Sequence, residues 1–355
     1  MSAEKKSGSL GSYSKYSGNN ITYPDPAIKE QDFVKKLISE LKKNHIDVLL
    51  PVHSEDTYVV TKYLDKFREH TAVPFMDYKT IDSVNNKSIF LKNAYDMGFP
   101  VPKTYHPDDL ESLRKISKEI DYPAVIKLRK SSSSIGLSYA KSPEELIQTF
   151  KDTITKFNLN NKNYPIIQEY VKGDGYGVSL LFNHGDLRAF FTHKRLREYP
   201  ISGGPSTCRV SVRNSGMEKI AVDLLKSYNW HGIAMVEFKL TEEGKPVIME
   251  VNPRFWGSVN QAVLSGVDFP YLLYRMSVDG DVNPVMSYKT GIKTRNAFID
   301  IIAIFQEIKS TKNPALIKEF LTCPFTDDVL SLDDPMPTLN FIKMGLKELY
   351  CSRYH

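Results

Sequence analysis

Cysteine is scarce in this chain. Only Cys208, Cys323 and Cys351 occur in 355 residues, far apart and in no C-x-x-C pair. That excludes a disulfide framework and a cysteine-based zinc or redox motif, and it fits reduced thiols in a cytoplasmic protein. Long apolar runs are also missing, since none approaches the roughly 18 residues of a membrane span. The first residues carry no apolar core of the signal-peptide kind. Charge of one sign is not in excess, because 47 basic residues face 42 acidic ones, for a net +5. The basic residues are spread along the chain, which argues against nucleic acid as the main partner. There is no G-x-x-x-x-G-K-[ST] phosphate loop, no Ser-His-Asp or Cys-His arrangement and no internal repeat.

What remains is the composition of an ordinary globular protein, with 20 Tyr and 18 Phe for a packed interior. Its length allows two or three domains. Residues 1–27 are rich in Ser, Gly, Lys, Asn and Tyr and read as a loose or surface segment. From Ile28 a regular pattern begins. Phe33, Leu37, Ile38 and Leu41 mark an amphipathic helix, Ile46–Val52 reads as a buried strand, 56–69 as a helix and Ala72–Phe75 as a short strand. This alternation indicates a small parallel α/β unit. A helix from Ser83 to Gly98 carries Lys87 in its first turn. Helix 108–120, strand 123–129, strand 137–140, helix 143–157 and strand 165–171 follow. Next come a meander at about 176–183, 186–194 and 206–212, helix 215–228, two acidic strands, and helices at 258–265, 268–277, 297–308 and 337–350.

The stretch around which the rest is arranged is Val247-Ile-Met-Glu-Val-Asn-Pro-Arg254. By strand alternation Val247, Met249 and Val251 share one face, and Ile248, Glu250 and Asn252 the other. Pro253 ends the ladder, having no N–H to donate. Upstream, Ile233–Leu240 is a second strand with Glu237 among apolar residues, and Thr241–Pro246 reads as the turn between them. Pairing the strands lets Glu237 face Glu250. Acids inside apolar strands must be paired or bind a metal, and two carboxylates plus an amide oxygen suit hard Mg²⁺. The bland alternative is an edge hairpin with solvated acids.

Three further stretches carry charge or turn chemistry. Lys127 sits in an apolar strand, where an anion opposite would offset the cost of its ammonium. The loop after it, Ser131–Gly136, holds Ser133, Ser134 and Gly136 and can offer hydroxyls and N–H groups to phosphate. Alone, such a loop is a flexible turn. Pro165-Ile-Ile-Gln-Glu-Tyr-Val171 leads into Lys172-Gly-Asp-Gly175, a hinge whose backbone can pair with a purine edge while Glu169 or Asp174 reaches a ribose. His193-Lys-Arg-Leu-Arg197 gathers cations at a strand end, and the Gly/Pro loop after Tyr199 suits motion over a ligand.

Taken in order, Lys87, Lys127 with its Ser/Gly loop, Gln168-Glu-Tyr-Val171, Glu237 and Glu250-Val-Asn-Pro-Arg254 resemble the ATP-grasp superfamily over roughly residues 28–285. The resemblance is to its branch related to carbamoyl-phosphate synthase large subunits and carboxylate–amine ligases. It implies an α/β and α+β protein. Two α+β subdomains, about 83–171 and 172–285, follow a shortened Rossmann-like pre-ATP-grasp domain at 1–82, and 286–355 packs on the core. Met1–Lys6 looks like the tail of that domain's second strand, with its first strand and helix missing, so residues 1–27 or a second subunit are expected to cover the gap. By the same resemblance Lys87 and Lys127 are the nucleotide lysines, and Glu169, Tyr170 and Val171 the adenine hinge. Asp174 substitutes for the ribose acid, since Tyr176 stands near the usual place. Glu237, Glu250 and Asn252 are the Mg²⁺ or Mn²⁺ ligands, Arg254 holds the acceptor carboxylate or acyl phosphate, and Arg195 or Lys194 meets the γ-phosphate. The implied activity is an ATP- and Mg²⁺-dependent ligase that activates a small-molecule carboxylate as its acyl phosphate for attack by an amine or similar nucleophile. The alternatives are a kinase of carboxyphosphate or carbamate and a non-catalytic nucleotide-binding subunit. A homodimer is left open, and neither nucleic acid nor membrane is expected as a partner.

Overall fold

A computed structural model of the chain describes residues 1–131, 134–201, 203–322 and 325–351. The N-terminal part holds β1 (Ser2–Glu4), β2 (Asn20–Thr22), α1 (Glu30–Lys43), α2 (Ser54–Lys62) and α3 (Leu64–Arg68). Next come α4 (Tyr78–Asn85), α5 (Lys87–Asp96), β3 (Thr104–Tyr105), α6 (Leu110–Glu119), β4 (Ala124–Lys127), β5 (Ser138–Ala140), α7 (Pro143–Phe157) and β6 (Ile166–Glu169). The chain then builds β7 (Asp174–Asn183), β8 (Asp186–Glu198), β9 (Ser206–Val212), α8 (Ser215–Ser227), β10 (Gly232–Leu240) and β11 (Pro246–Asn252). It ends with α9 (Val259–Ser265), α10 (Phe269–Asp279), β12 (Lys293–Arg295), α11 (Ala297–Thr311), α12 (Ala315–Thr322), β13 (Thr326–Asp327) and α13 (Pro335–Cys351).

Two sheets frame the molecule. A four-stranded antiparallel sheet has the order β3-β6-β4-β5. Helices α6 and α7 cover one of its faces, where Leu113, Leu146 and Phe150 meet Ala124 and Ile126. Strand alternation therefore turns Val125 and Lys127 to the opposite face. A seven-stranded sheet has the order β11-β10-β7-β8-β9-β12-β13 and is antiparallel except for the β12–β13 pair. One of its faces carries Tyr176, Val178, Leu180, Ala234, Val236 and Phe238 onto α4, α5 and α8. The other carries Leu181, Ala189, Phe191, Ile233 and Met235 against the N-terminal part and α10.

Several sequence expectations need correction. Ile46–Val52 is not a sheet strand: the extended segments at 46–52 and 72–75 touch through one parallel bridge, Val48 to Ala72. Val52 is exposed. A Rossmann-like sheet is therefore not what this part builds. The expected helix 56–69 breaks at Tyr63, and the one from Ser83 breaks at Asn86. Asn86 leaves helical geometry, and its side chain accepts from the Ser88 N–H, which restarts the helix with Lys87 at its first position. In β11 the ladder slips by one between Glu237 and Phe238, so Ile248 pairs with Phe238 and Met249 is the extra residue of a bulge. Ile248 and Val251 thus enter the same core rather than opposite faces. The segment 286–355 does more than pack on the core, since its β12 pairs with β9 and extends the large sheet.

Residues 1–27 are not loose. β1 and β2 pair in parallel, and Ala3 and Ile21 pack against the core under α1 and α2. Tyr23 is buried there, edge-on to Phe33, and its hydroxyl donates to Asp56 Oδ2 at 2.7 Å. Deleting residues 1–24 should therefore lower the melting temperature by about 5 °C or more, by removing buried apolar area and a buried hydrogen bond. An unchanged melting curve by differential scanning fluorimetry would remove this covering role.

Candidate functional site

The site lies where β10 and β11 meet α5 and the free face of the small sheet. The β10–β11 register sets Glu237 directly opposite Glu250 and Met235 opposite Asn252. These residues continue the Met235 face of the large sheet. The turn between the strands is closed by the Thr241 N–H donating to the Lys245 carbonyl at 3.0 Å, with Gly244 at positive φ, and the bulge at Met249 then brings Glu250 opposite Glu237.

Each carboxylate has its own cation. Lys87 Nζ stands 3.0 Å from Glu250 Oε2 and also donates to the Ser131 carbonyl at 2.9 Å. Arg195 Nη2 stands 2.5 Å from Glu237 Oε2, and its Nη1 donates to Glu198 Oε1 at 3.3 Å. Asn252 bridges the acids to the next cation: its Nδ2 donates to Glu237 Oε1 at 2.9 Å, and its Oδ1 accepts from Arg254 Nη2 at 3.0 Å. Arg254 Nε donates to Ser54 Oγ at 2.7 Å, so the N-terminal end of α2 reaches into the site. A narrow cleft runs along this line, bounded by Ser54, Asn85, Lys87, Ser131, Glu250 and Arg254.

The charges are mutually dependent. Burial raises the Glu237 carboxyl above its ordinary value against the pull of Arg195, and the neighbouring Glu250 adds to the rise. Burial pushes Glu250 the same way, yet Lys87, then Lys127 and Arg195, hold it below the ordinary carboxylate value. Burial lowers the Lys127 ammonium to about 8; Glu250 and Glu237 oppose that and Lys87 assists it. Lys127 joins none of the ion pairs formed among the described residues. Cations thus outnumber acids in the cleft, and its least compensated cation faces inward from the small sheet.

Not every candidate joins this cluster. Lys194 lies on the opposite face of β8 from Arg195, across from Tyr176, and pairs with Asp174 at 2.6 Å. Glu169 is tied to β3's approach, since its Oε1 accepts the Lys103 N–H at 2.9 Å. Tyr170 is exposed, edge-on to Tyr139 at 6.0 Å. Val171 follows it in the open link between β6 and β7. Ser134, at φ 62°, donates to the Gly203 carbonyl, so the Ser/Gly loop touches the Gly/Pro loop. Gly136 also has positive φ, and a Cβ there would lie 2.4 Å from Leu128 Cγ. Ser133 lies outside the described residues. Sequence reasoning missed Ser54 and Glu198. The first had only a helix-start signal, Ser-Glu-Asp after an extended stretch, and the second only its three-residue spacing from Arg195.

The donor set fits a divalent ion in part. Glu237 and Glu250 face each other with oxygens on one side of a cleft, as a hard cation with phosphate co-ligands requires. Asn252 turns its oxygen to Arg254 and its nitrogen to Glu237. No three His, Cys, Asp or Glu side chains converge on a metal position among the described residues. The carboxylates available to a divalent ion in this cleft are therefore Glu237 and Glu250. No helix among the described residues is long and apolar enough to cross a membrane.

A phosphate anion opposite Lys127 should raise its pKa. Adenosine triphosphate should therefore bind with net proton uptake at pH 8 and weaken as pH rises through 8, where the free lysine loses its charge. Calorimetry in two buffers of different ionisation enthalpy reads this directly. Equal apparent enthalpies in both would remove Lys127 from the nucleotide contact.

Comparison with known proteins gives a consistent picture. Residues 161–297 match the family described as ATP-grasp in the biosynthetic pathway with Ter operon. A formate-dependent phosphoribosylglycinamide formyltransferase from Ignicoccus hospitalis is 27% identical over 171 residues, which are 45% of this chain and 42% of that protein. A D-alanine–D-alanine ligase from Bacillus pumilus is 26% identical over 218 residues, 55% of this chain and 58% of the ligase. Among solved structures, biotin carboxylase from Campylobacter jejuni, in a complex with an ATP analogue, superposes with a TM-score of 0.67 at 15% identity. That match covers 82% of this chain and 67% of that one. The chain thus spans about half the length of the curated relatives it matches.

Proposed function

We propose, from the premise that this chain belongs to the ATP-grasp superfamily, that it is an ATP- and Mg²⁺-dependent ligase activating a small carboxylate as its acyl phosphate for attack by an amine or similar nucleophile. The observation that carries the reading is the charge pattern of the cleft. Lys87, Lys127, Arg195 and Arg254 surround the facing pair Glu237 and Glu250, which leaves positive charge for an incoming polyanion. ATP brings about four negative charges at neutral pH, and phosphoryl transfer asks of the protein mainly positioning and charge neutralisation.

In this reading the link at 169–171 takes the adenine edge, with Asp174 the ribose contact. Lys127 and Lys87 reach the phosphates from the small sheet and from α5. The loop that carries Ser133, Ser134 and Gly136 covers them. Arg195 approaches the transferred phosphoryl group, while Lys194, on the other face of β8, serves through Asp174. Arg254, steadied by Ser54 and Asn252, holds the acceptor carboxylate or the acyl phosphate. Glu237 and Glu250, with Asn252 beside them, hold Mg²⁺ or Mn²⁺, whose Lewis acidity offsets charge on the phosphate oxygens.

The test is a panel of carboxylates, each paired with amino acids and polyamines, incubated with ATP and Mg²⁺ and read by ADP release and by mass spectrometry of products. ADP release with formation of an amide supports the ligase. Release that needs only bicarbonate, with no amide, overturns it in favour of a carboxyphosphate kinase. Glu250→Gln, which removes a ligand charge at constant volume, should cut turnover by about 100-fold or more while the circular-dichroism spectrum is kept. Near-parental turnover in that variant would take Glu250 out of the metal site.

A further inference from the structure

Arg195 and Glu237 stand on strands that are not neighbours. β8 and β10 both pair with β7, which runs between them. Two strand spacings amount to about 9.5 Å, so the Arg195 side chain must lie across β7 to reach Glu237. A side chain on that face of β7 level with Arg195 would stand in its path. On this face β7 presents Gly175 and Gly177. Gly177 is opposite Glu237 on one side and His193 on the other. Gly175 precedes the Tyr176–Lys194 pair and so lies level with Arg195.

Neither glycine is there for its backbone. Neither lies in the left-handed region that favours glycine, in contrast to Gly173 at φ +153°. Extended positions of this kind ordinarily accept any residue, and a glycine inside a strand weakens it by leaving nothing to pack. What they lack is a Cβ. One placed on Gly175 would lie 3.0 Å from Arg195 Cδ and 3.0 Å from Glu198 Oε1. One placed on Gly177 would lie 2.5 Å from His193 Cε1 and 3.0 Å from Met235 Sδ. The space over Gly175 is therefore already filled by the arginine and its second carboxylate partner Glu198, and that over Gly177 by the buried ring of His193 and by Met235. Burial, with Arg195 and Arg209 nearby, holds that ring neutral, so it lies beside Arg195 without repelling it.

We propose that Gly175 is a positioning residue: the side-chain-free place it leaves on β7 is what lets Arg195 bridge from Glu198 to Glu237, while Gly177 gives room to the His193 ring and Met235 beside that bridge. Gly175 thus acts through Arg195 rather than through any contact with a ligand. The inference rests on the ion-pair geometry. It bears on the proposed function by fixing where the Arg195 charge sits.

Gly175→Ala is the discriminating variant, because only side-chain atoms of Arg195 and Glu198 oppose its methyl, the arginine through its Cγ and Cδ. Gly177→Ala meets a buried ring and is the harsher companion. The measurement is a double-mutant cycle on urea unfolding with Arg195→Met and Glu237→Gln, made in the parental chain and again in the Gly175→Ala chain, without nucleotide. We expect a coupling between positions 195 and 237 in the parent and its reduction by at least half in the Gly175→Ala chain. A second reading uses a fluorescent ATP analogue: Gly175→Ala should weaken its binding, and adding Arg195→Met should weaken it no further. Absence of coupling in the parent, or full coupling in the Gly175→Ala chain, overturns the proposal. So does a loss of analogue binding that simply adds to that of Arg195→Met. Failure to bind the analogue at all would instead count against the nucleotide reading, and the unfolding cycle would still decide on Gly175.

Discussion

Two carboxylates held face to face across a β-ladder are the constraint on which this molecule depends. Glu237 and Glu250 cannot both shed their protons in a part-buried cleft unless positive charge is brought to them. The architecture brings it from every side. Lys87 comes from the restart of a helix at Asn86, Lys127 from the uncovered face of the small sheet, Arg195 from across β7, and Arg254 from the loop that follows Pro253. Each cation is delivered by a different element. The relative placement of the two sheets, the helix pair α4–α5 and the N-terminal part is therefore fixed by electrostatics as well as by packing.

The N-terminal part shows how that coupling extends outward. Ser54 opens α2 and holds Arg254, while Asp56, on the same helix, is held from behind by Tyr23. The segment before Tyr23 in turn meets the C-terminal region, where Ser14 and Lys15 bond to Asp334 and Asp333. Separate hydrogen bonds and ion pairs thus anchor this part of the chain at several points between the surface and the arginine beside the acids.

Much of the site was legible because its elements announce themselves locally. The acidic hairpin is two apolar strands around a Gly-containing turn, which brings Glu237 and Glu250 to the same stretch of the ladder, although it is the slip at Met249 that sets them directly opposite. Lys127 stood out as a charge in an apolar strand. What alternation could not supply was the slip at Met249, since a bulge leaves no mark in composition. It also misread Ile46–Val52, where an apolar run packs on a core without a ladder to join. Arg195 and Lys194 are adjacent in sequence, and only the sheet decides which of them faces the acids. The contact from Ser54 to Arg254 spans 200 residues, and no local pattern encodes it.

The large sheet is assembled out of order. β9 ends at Val212, but β12, which pairs with its outer edge, begins only at Lys293. On a ribosome adding about 5–20 residues per second, that edge waits roughly 4–16 s for its partner. An unpaired strand edge is a template for the wrong chain. β9 carries its own deterrent through that interval: Arg209 points inward from the strand, and the ladder with β8 is irregular on both sides of Arg197. A charge that in the finished protein is buried against Asp328 and Thr294 would, in the nascent one, keep a bare edge from pairing with its neighbours.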